Sequence, residues 1–93
     1  MASRGEVYHA LNTERDYQGT KWDDAEHQHT PEEWIVYMED YLREAKQILS
    51  RGHIKEVRPR AMHTIRKITA MGVCCMEQNG APVREGHRES EEV

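Results

Sequence analysis

Cations concentrate in one part of the chain, and their types suit phosphate. Between Pro59 and Met76 the sequence contains no Asp or Glu. The basic and titratable side chains of this segment all lie in its first half: Arg60, His63, Arg66 and Lys67. An Arg guanidinium presents a planar fork to phosphate oxygens, and a Lys ammonium presents a compact charge. We predict phosphate contacts here; the alternative is a solvated basic face, or pairing with acids of the preceding helix.

A second group of candidates lies in residues 12–22, "NTERDYQGTKW". Arg and Lys in this stretch can meet phosphate, and its Tyr and Trp supply flat rings on which a base can stack. The alternative is that Trp22 only packs this segment onto the neighbouring helices. With the basic segment, these residues make one predicted ligand-binding set: Arg15, Tyr17, Lys21, Trp22, His63, Arg66 and Lys67.

The acidic residues are the candidates for metal binding, but their positions favour a solvated charged surface. Asp40 and Glu44 are one helical turn apart and could face a hard cation together. They can equally form a solvated face balanced by Arg43 and Lys46. The loop that precedes this segment holds acids and histidines at spacings that match no specific ligand framework: Asp23, Asp24, Glu26, His27 and His29. We predict neither a metal site nor catalytic residues.

Composition narrows the class of protein. A net charge of −4 argues against general nucleic-acid binding. Cys74 and Cys75 are adjacent in an apolar run, which suggests core packing in a reducing compartment rather than a disulfide framework. No segment approaches the roughly 18 apolar residues of a membrane span or resembles a signal peptide. We expect a cytoplasmic protein with no membrane partner.

Three helices must position these residues. Ser3 and Glu6 have capping-box spacing, and a weak apolar pattern follows as far as Gly19. Thr30, Pro31 and Glu33 make a stronger start for a second helix that ends near Gly52. Its apolar stripe predicts one buried face: Trp34, Met38, Tyr41, Leu42, Ala45, Ile48 and Leu49. A third helix is predicted from about Pro59 to Gln78, before Asn79-Gly80.

The third helix is too apolar to be covered by so small a chain. Its stripe comprises Ala61, Ile65, Ile68, Gly72, Cys75 and Met76. Residues 70–76, "AMGVCCM", are apolar nearly all round, which predicts burial on every side and self-association through residues 61–76. The expected fold is all-α: a short N-terminal helix plus a long antiparallel helical hairpin, assembled into an oligomeric helical bundle. Residues 1–82 would form one domain, and residues 83–93 a disordered charged tail.

The order of these segments resembles a known family. "TERDYQGTKWDDAEHQH", then "EEWIVYMEDYLREA", then "IRKITAMGVCCMEQNG" are similar to the small MazG-like proteins of bacteria and their phages. The likeness covers most of residues 13–80. It implies an all-α, oligomeric nucleoside triphosphate pyrophosphohydrolase fold. Magnesium would be held by a Glu-x-x-Glu on one helix and a Glu-x-x-Asp on the next.

The chain departs from that pattern at both metal motifs. At the first motif the matching positions are Asp40 and Arg43, with Glu39 and Glu44 nearby. The second motif is absent, and its helix carries His63, Arg66 and Lys67 instead of acids. Cations in place of carboxylates repel a metal ion but attract a phosphate directly.

We therefore expect a small oligomeric protein that binds a nucleotide-type phosphate ligand without turnover and needs no cofactor. A phage anti-defence protein that sequesters a cyclic nucleotide immune signal in the host cytoplasm fits this description. One alternative is a magnesium-dependent MazG-like pyrophosphohydrolase that uses acids of the second helix with others from a neighbouring subunit. The other is a protein-binding inhibitor of a host factor.

Overall fold

A computed structural model describes residues 1–22 and 26–85 of the 93-residue chain. This part contains three α-helices and no strand: α1 (Arg4–Lys21), α2 (Pro31–Ser50) and α3 (Ile54–Asn79). The predicted all-α class is confirmed. None of these helices combines the length and apolar character needed to cross a membrane. Most of the predicted disordered tail, residues 86–93, lies outside the described residues.

Helix α1 begins with the predicted capping box. The backbone amide of Glu6 donates to the Ser3 hydroxyl, and the Ser3 amide donates to the Glu6 carboxylate. The helix continues past Gly19, because its buried side extends to the last turn. The residues of α1 that are buried are polar, Glu14 and Gln18. The fully buried side chains of α1 are therefore polar, and Leu11 of its weak apolar face is only half-buried.

Helix α2 also has the predicted start, with Thr30 and Glu33 forming a capping box and Pro31 in the first turn. Its buried residues are Trp34 and Ala45. The predicted stripe is wider than the buried face, since Leu42 and Leu49 stay exposed in the single chain.

Helix α3 begins at Ile54, earlier than the predicted start at Pro59. His53 caps it, with its Nδ1 atom accepting a hydrogen bond from the Lys55 amide. Pro59 lacks an N–H and so removes one helical hydrogen bond, but burial of Val57 favours the extra turn. Proline thus lies within the helix instead of starting it. Gly80 caps the end of the helix after Asn79. Its φ of 110° lies in a region that glycine adopts readily and other residues rarely do.

Helix α3 is central, because α1 and α2 each pack against it and not against each other. The core is a cluster of Trp34, Met71 and Cys74. Half-buried side chains pack around this cluster: Trp22, Met38, Tyr41 and Cys75. The connector between α2 and α3 is tight, since a Cβ atom added at Gly52 would lie 3.0 Å from the Val57 side chain.

Residues 70–76 are buried less uniformly than their composition predicts. Ala70, Met71 and Cys74 are buried, but Met76 is 45% exposed. Ile65, another member of the predicted α3 stripe, is also exposed. The buried face of α3 is therefore rotated from the predicted stripe, because α1 and α2 approach from two directions.

Candidate functional site

Helices α1 and α3 enclose a groove of about 620 Å³ that carries most of the predicted ligand-binding residues. We call it the basic groove. Its predicted members are Tyr17, Lys21, His63, Arg66 and Lys67, and it is completed by Thr13, Glu14 and Thr64. Residues far apart in sequence thus share one surface. Among the described residues that line it, three permanent cations accompany one carboxylate, so this lining carries net positive charge.

Arg66 is fixed in the basic groove by an acid of α1. Its Nε atom donates to Oε1 of Glu14 at 2.7 Å, and the Glu14 side chain is 8% exposed. This pairing answers one question left by the sequence, since the partner of Arg66 lies on α1 and not on α2. Only Nε of the guanidinium is engaged within the described residues. Its two terminal nitrogens keep their hydrogen-bonding capacity for an anion.

Lys67 lies at the border of the basic groove. Its backbone oxygen accepts a hydrogen bond from Nε2 of Gln18 at 3.2 Å, which fixes α1 on α3. Its ammonium extends the other way and lies 4.7 Å from the centroid of the Tyr41 ring. The Gln18 side chain is buried, and its Oε1 atom has no hydrogen-bond partner in the described part of the chain.

Arg15 does not line the basic groove. Its Nε and Nη2 atoms both donate to the Glu77 carboxylate near the end of α3, with the shortest contact at 2.6 Å. Arg15 therefore serves in this structure as a contact between α1 and α3.

Trp22 lies in a different cavity, of about 580 Å³, between the loop after α1 and helix α2. We call it the ring pocket. Its walls are aromatic or imidazole rings with one methionine, and its remaining lining residues are acidic: Trp22, His27, His29, Trp34, Tyr37, Tyr41, Met71, Asp40 and Glu44. Trp22 was a predicted stacking residue. The five other rings that surround it were not predicted from the sequence.

Gln78 holds the ring pocket together. Its Oε1 atom accepts from Nε1 of Trp34 at 2.9 Å and from the His29 amide at 3.0 Å. Its Nε2 atom donates to the His27 carbonyl oxygen. Asn79 adds a hydrogen bond to the His29 carbonyl oxygen. The roles of Gln78 and Asn79 were not predicted from the sequence, because a polar residue at a helix end is usually a surface residue.

Comparisons with protein-family models, curated proteins and solved structures gave no match. The two cavities and their side chains are therefore the basis for a functional assignment.

Most acids of α2 that the MazG resemblance implicates in magnesium binding make contacts at the start of their own helix or within it. Glu33 is engaged at the helix start, where hydrogen bonds from the Thr30 amide and hydroxyl lower its pKa. Glu39 and Asp40 both accept hydrogen bonds from Arg43. Within residues 1–22 and 26–85, no three His, Cys, Asp or Glu side chains are close enough to share a metal ion. Asp23 and Asp24 of the candidate loop cluster lie outside those residues.

Proposed function

We propose that this chain is a small nucleotide-phosphate-binding protein that does not turn its ligand over. The observation that carries the proposal is the basic groove, where Lys21, His63, Arg66 and Lys67 line one cavity with Tyr17. Cavities of this volume fit a nucleotide-sized ligand. Cations that converge on one groove favour a phosphate group through charge-assisted hydrogen bonds.

Each side chain has a distinct role in the proposed complex. Glu14 orients the Arg66 guanidinium, whose terminal nitrogens then donate to two phosphate oxygens. Lys21 contributes an ammonium group and His63 a ring N–H, and the Lys67 ammonium joins them by turning away from the Tyr41 ring. The exposed ring of Tyr17 lies in the same groove and offers a stacking surface for the base. Trp22 was the other stacking candidate, but it lines the separate ring pocket.

The proposal that the ligand is not turned over rests on the electrostatics of the groove. Hydrolysis of a nucleoside triphosphate needs several carboxylates that converge on magnesium. Among the described residues that line the basic groove, Glu14 is the one carboxylate, and that group is paired with Arg66. Binding without cleavage suits a protein that sequesters a signal. A phage anti-defence protein that captures a cyclic nucleotide immune signal in the host cytoplasm is the role we propose.

The assembly that we propose is an oligomeric bundle built on an antiparallel α2–α3 hairpin. Trp34, early in α2, contacts Gln78 late in α3, whereas Tyr41 contacts Lys67, which lies earlier in α3. This reversed order supports the antiparallel arrangement. Large apolar side chains remain exposed on both helices and support self-association that includes residues 61–76: Ile35, Leu42, Leu49, Met62, Ile65 and Met76.

The first test is thermal-shift screening against nucleoside triphosphates and cyclic di- and trinucleotides, with and without magnesium, followed by chromatography of each mixture. A ligand at a hundred times its dissociation constant stabilises the native state by about 2.7 kcal/mol. We expect a shift with the ligand recovered intact. Magnesium-dependent products would instead favour the MazG-like pyrophosphohydrolase alternative. No shift with any nucleotide would favour the protein-binding alternative, which recovery of one host protein would then support.

Matched variants locate the binding site. Lys21→Met and Lys67→Met together should abolish the shift, because they remove two of the three permanent cations from the groove. Lys46→Met is the control, since Lys46 is exposed on α2 and lines neither cavity. Arg66→Met is a poorer probe, because it also leaves Glu14 without its partner. If the double variant and the control shift equally, the ligand does not bind in the basic groove.

A further inference from the structure

The ring pocket has a chemistry opposite to that of the basic groove. Its described lining combines six rings with Asp40 and Glu44, and no Lys or Arg is among these residues. The faces of aromatic rings carry negative electrostatic potential, and carboxylates at the rim add to it. An anion is disfavoured in such a cavity, whereas an organic cation is favoured.

The two carboxylates of the ring pocket are not equally engaged. Asp40 lies 3.3 Å from Nη1 of Arg43 on the same helix. Glu44 has no hydrogen bond or ion pair within the part of the chain that the structure describes. It is exposed, one turn beyond Asp40, and so it can approach a ligand without breaking an existing contact. Glu44 is therefore the group that a bound cation would pair with.

The protein already places one of its own ammonium groups against this pocket. The Lys67 Nζ atom lies 4.7 Å from the Tyr41 centroid, within the distance at which a cation interacts with a ring face. The face of the Tyr41 ring thus already interacts with a cation. A ligand ammonium in the pocket would lie close enough to Lys67 to be repelled by it, and this repulsion provides a test.

The walls of the pocket are held before any ligand arrives. His29 makes edge contacts with Trp34 and Tyr37 at centroid distances of 5.0–5.2 Å, and Trp22 lies 6.2 Å from Trp34. Trp34 is 2% exposed and is hydrogen-bonded to Gln78. Little ordering remains to oppose binding, because these rings are already fixed by the core.

We propose that the ring pocket binds a small quaternary ammonium compound, with its methyl groups against the rings and its charge beside Glu44. A methylated ammonium fits this lining better than a bare one, because it is weakly hydrated and presents apolar surface to the walls. The site shares no lining residue with the basic groove. It can therefore fail while the nucleotide proposal stands, and the reverse also holds.

Intrinsic fluorescence tests the proposal directly, because both tryptophans of the chain, Trp22 and Trp34, line this pocket. The probes are choline and its neutral isostere 3,3-dimethylbutan-1-ol. We expect saturable quenching by choline, with at least about fivefold weaker binding of the neutral alcohol. Equal binding of the two compounds would overturn the proposal, since the pocket would then recognise shape and apolar surface alone. No response to choline would also overturn it.

Two carboxylate variants locate the charge. Glu44→Gln should weaken choline binding about fivefold, because an amide replaces the carboxylate without changing its size. Glu39→Gln is the control, since Glu39 is exposed on the same helix but does not line the pocket. If both variants bind choline as tightly as the parent chain, Glu44 does not hold the cation and the proposed site is wrong.

Lys67→Met separates the two cavities. In the basic groove the substitution removes a cation and should weaken any bound phosphate compound. In the ring pocket it removes a competing ammonium, so choline should bind about two- to fivefold more tightly. Weaker choline binding by this variant would contradict the proposal. Saturable quenching by an uncharged nucleoside, with none by choline, would instead identify the pocket as a base-binding site.

Discussion

The two sides of α3 are held by different forces. Toward α2, contact is made by large buried side chains, Trp34, Met71 and Cys74. Toward α1, the fully buried residues of that helix are polar, and the contacts include three polar pairs: Glu14 with Arg66, Gln18 with the Lys67 backbone, and Arg15 with Glu77. Apolar contacts contain no charge that salt can screen, whereas ion pairs are weakened by salt to the degree that they are exposed.

This difference suggests that α2 and α3 form the stable part of the fold and that α1 is its adjustable part. The two cavities follow the same division. The ring pocket is built mainly on the apolar side, and the basic groove lies at the polar side. An anion that enters between α1 and α3 can take over charged side chains that otherwise form ion pairs between these helices.

The largest effect is expected from removing the main side chain of the apolar side. Trp34→Ala should destabilise the fold by about 3–5 kcal/mol, because it leaves a cavity beside Met71 and Cys74. Ile35→Ala is the control, since Ile35 is 59% exposed on the same helix. Urea denaturation followed by circular dichroism measures both. Equal losses in the two variants would mean that the apolar side does not dominate stability.

Gln78→Ala should have the next largest effect. It leaves the Trp34 Nε1 atom and the His29 amide without an acceptor, at a cost of about 1–3 kcal/mol. It should also shift the tryptophan emission, because the ring pocket loses its anchor. Gln47→Ala, on the exposed face of α2, is the matched control. An unchanged emission spectrum for Gln78→Ala would show that this amide does not order the pocket.

On the polar side, Arg66→Met should cost about 1–3 kcal/mol, since Glu14 would stay largely buried without its partner. The double variant Glu14→Leu/Arg66→Met should recover most of that loss, because no unpaired charge remains. Denaturation of the parent, the single variants Glu14→Leu and Arg66→Met, and the double variant gives the coupling energy. Additive losses in the double variant would mean that the pair does not act as a unit.

The two capping boxes compare α1 with α2 directly. Ser3→Ala and Thr30→Ala each remove an acceptor for a first-turn amide, worth about 1 kcal/mol. We expect the Thr30 variant to lower global stability and the Ser3 variant to increase mainly local hydrogen exchange in the first turn of α1. Global destabilisation of equal size by both would contradict the proposed looseness of α1.

Lowering the pH should produce the smallest of these changes in folding stability. Hydrogen bonds from the Thr30 backbone and side chain lower the pKa of Glu33 below its ordinary value. A carboxylate with a lowered folded-state pKa contributes stability that is fully present above its unfolded-state pKa and is lost as pH falls through the folded-state pKa. The difference in stability between the parent chain and Glu33→Ala should therefore shrink below the ordinary glutamate pKa. A constant difference down to pH 2 would contradict this linkage.

Much of the helical structure was predictable because it depends on neighbouring residues. The capping boxes at Ser3 and Thr30 use partners three positions away, and both form as predicted. The start of α3 was not predictable in the same way. Proline at position 59 is typical of a first turn, but burial of Val57 favours an earlier start at Ile54.

The candidate site was predictable in part. Residue types selected Tyr17, Lys21, His63, Arg66 and Lys67, and the fold brings these five to one groove. Arg15 and Trp22 were chosen on the same grounds but lie elsewhere, because adjacent helical positions point in different directions. Nothing in the local sequence of Gln78 indicates that it anchors a loop some fifty positions earlier in the chain.

By itself, the sequence determined the presence of three helices, the starting caps of α1 and α2, and the supply of rings and cations, since each depends on residue type or on hydrogen bonds within one turn. The tertiary structure alone decided which charges meet. Arg66 pairs with Glu14 of α1 and not with an acid of α2, and Lys67 points toward Tyr41. These partners meet because of the way α3 is rotated about its own axis between α1 and α2. Packing of the whole chain sets that rotation.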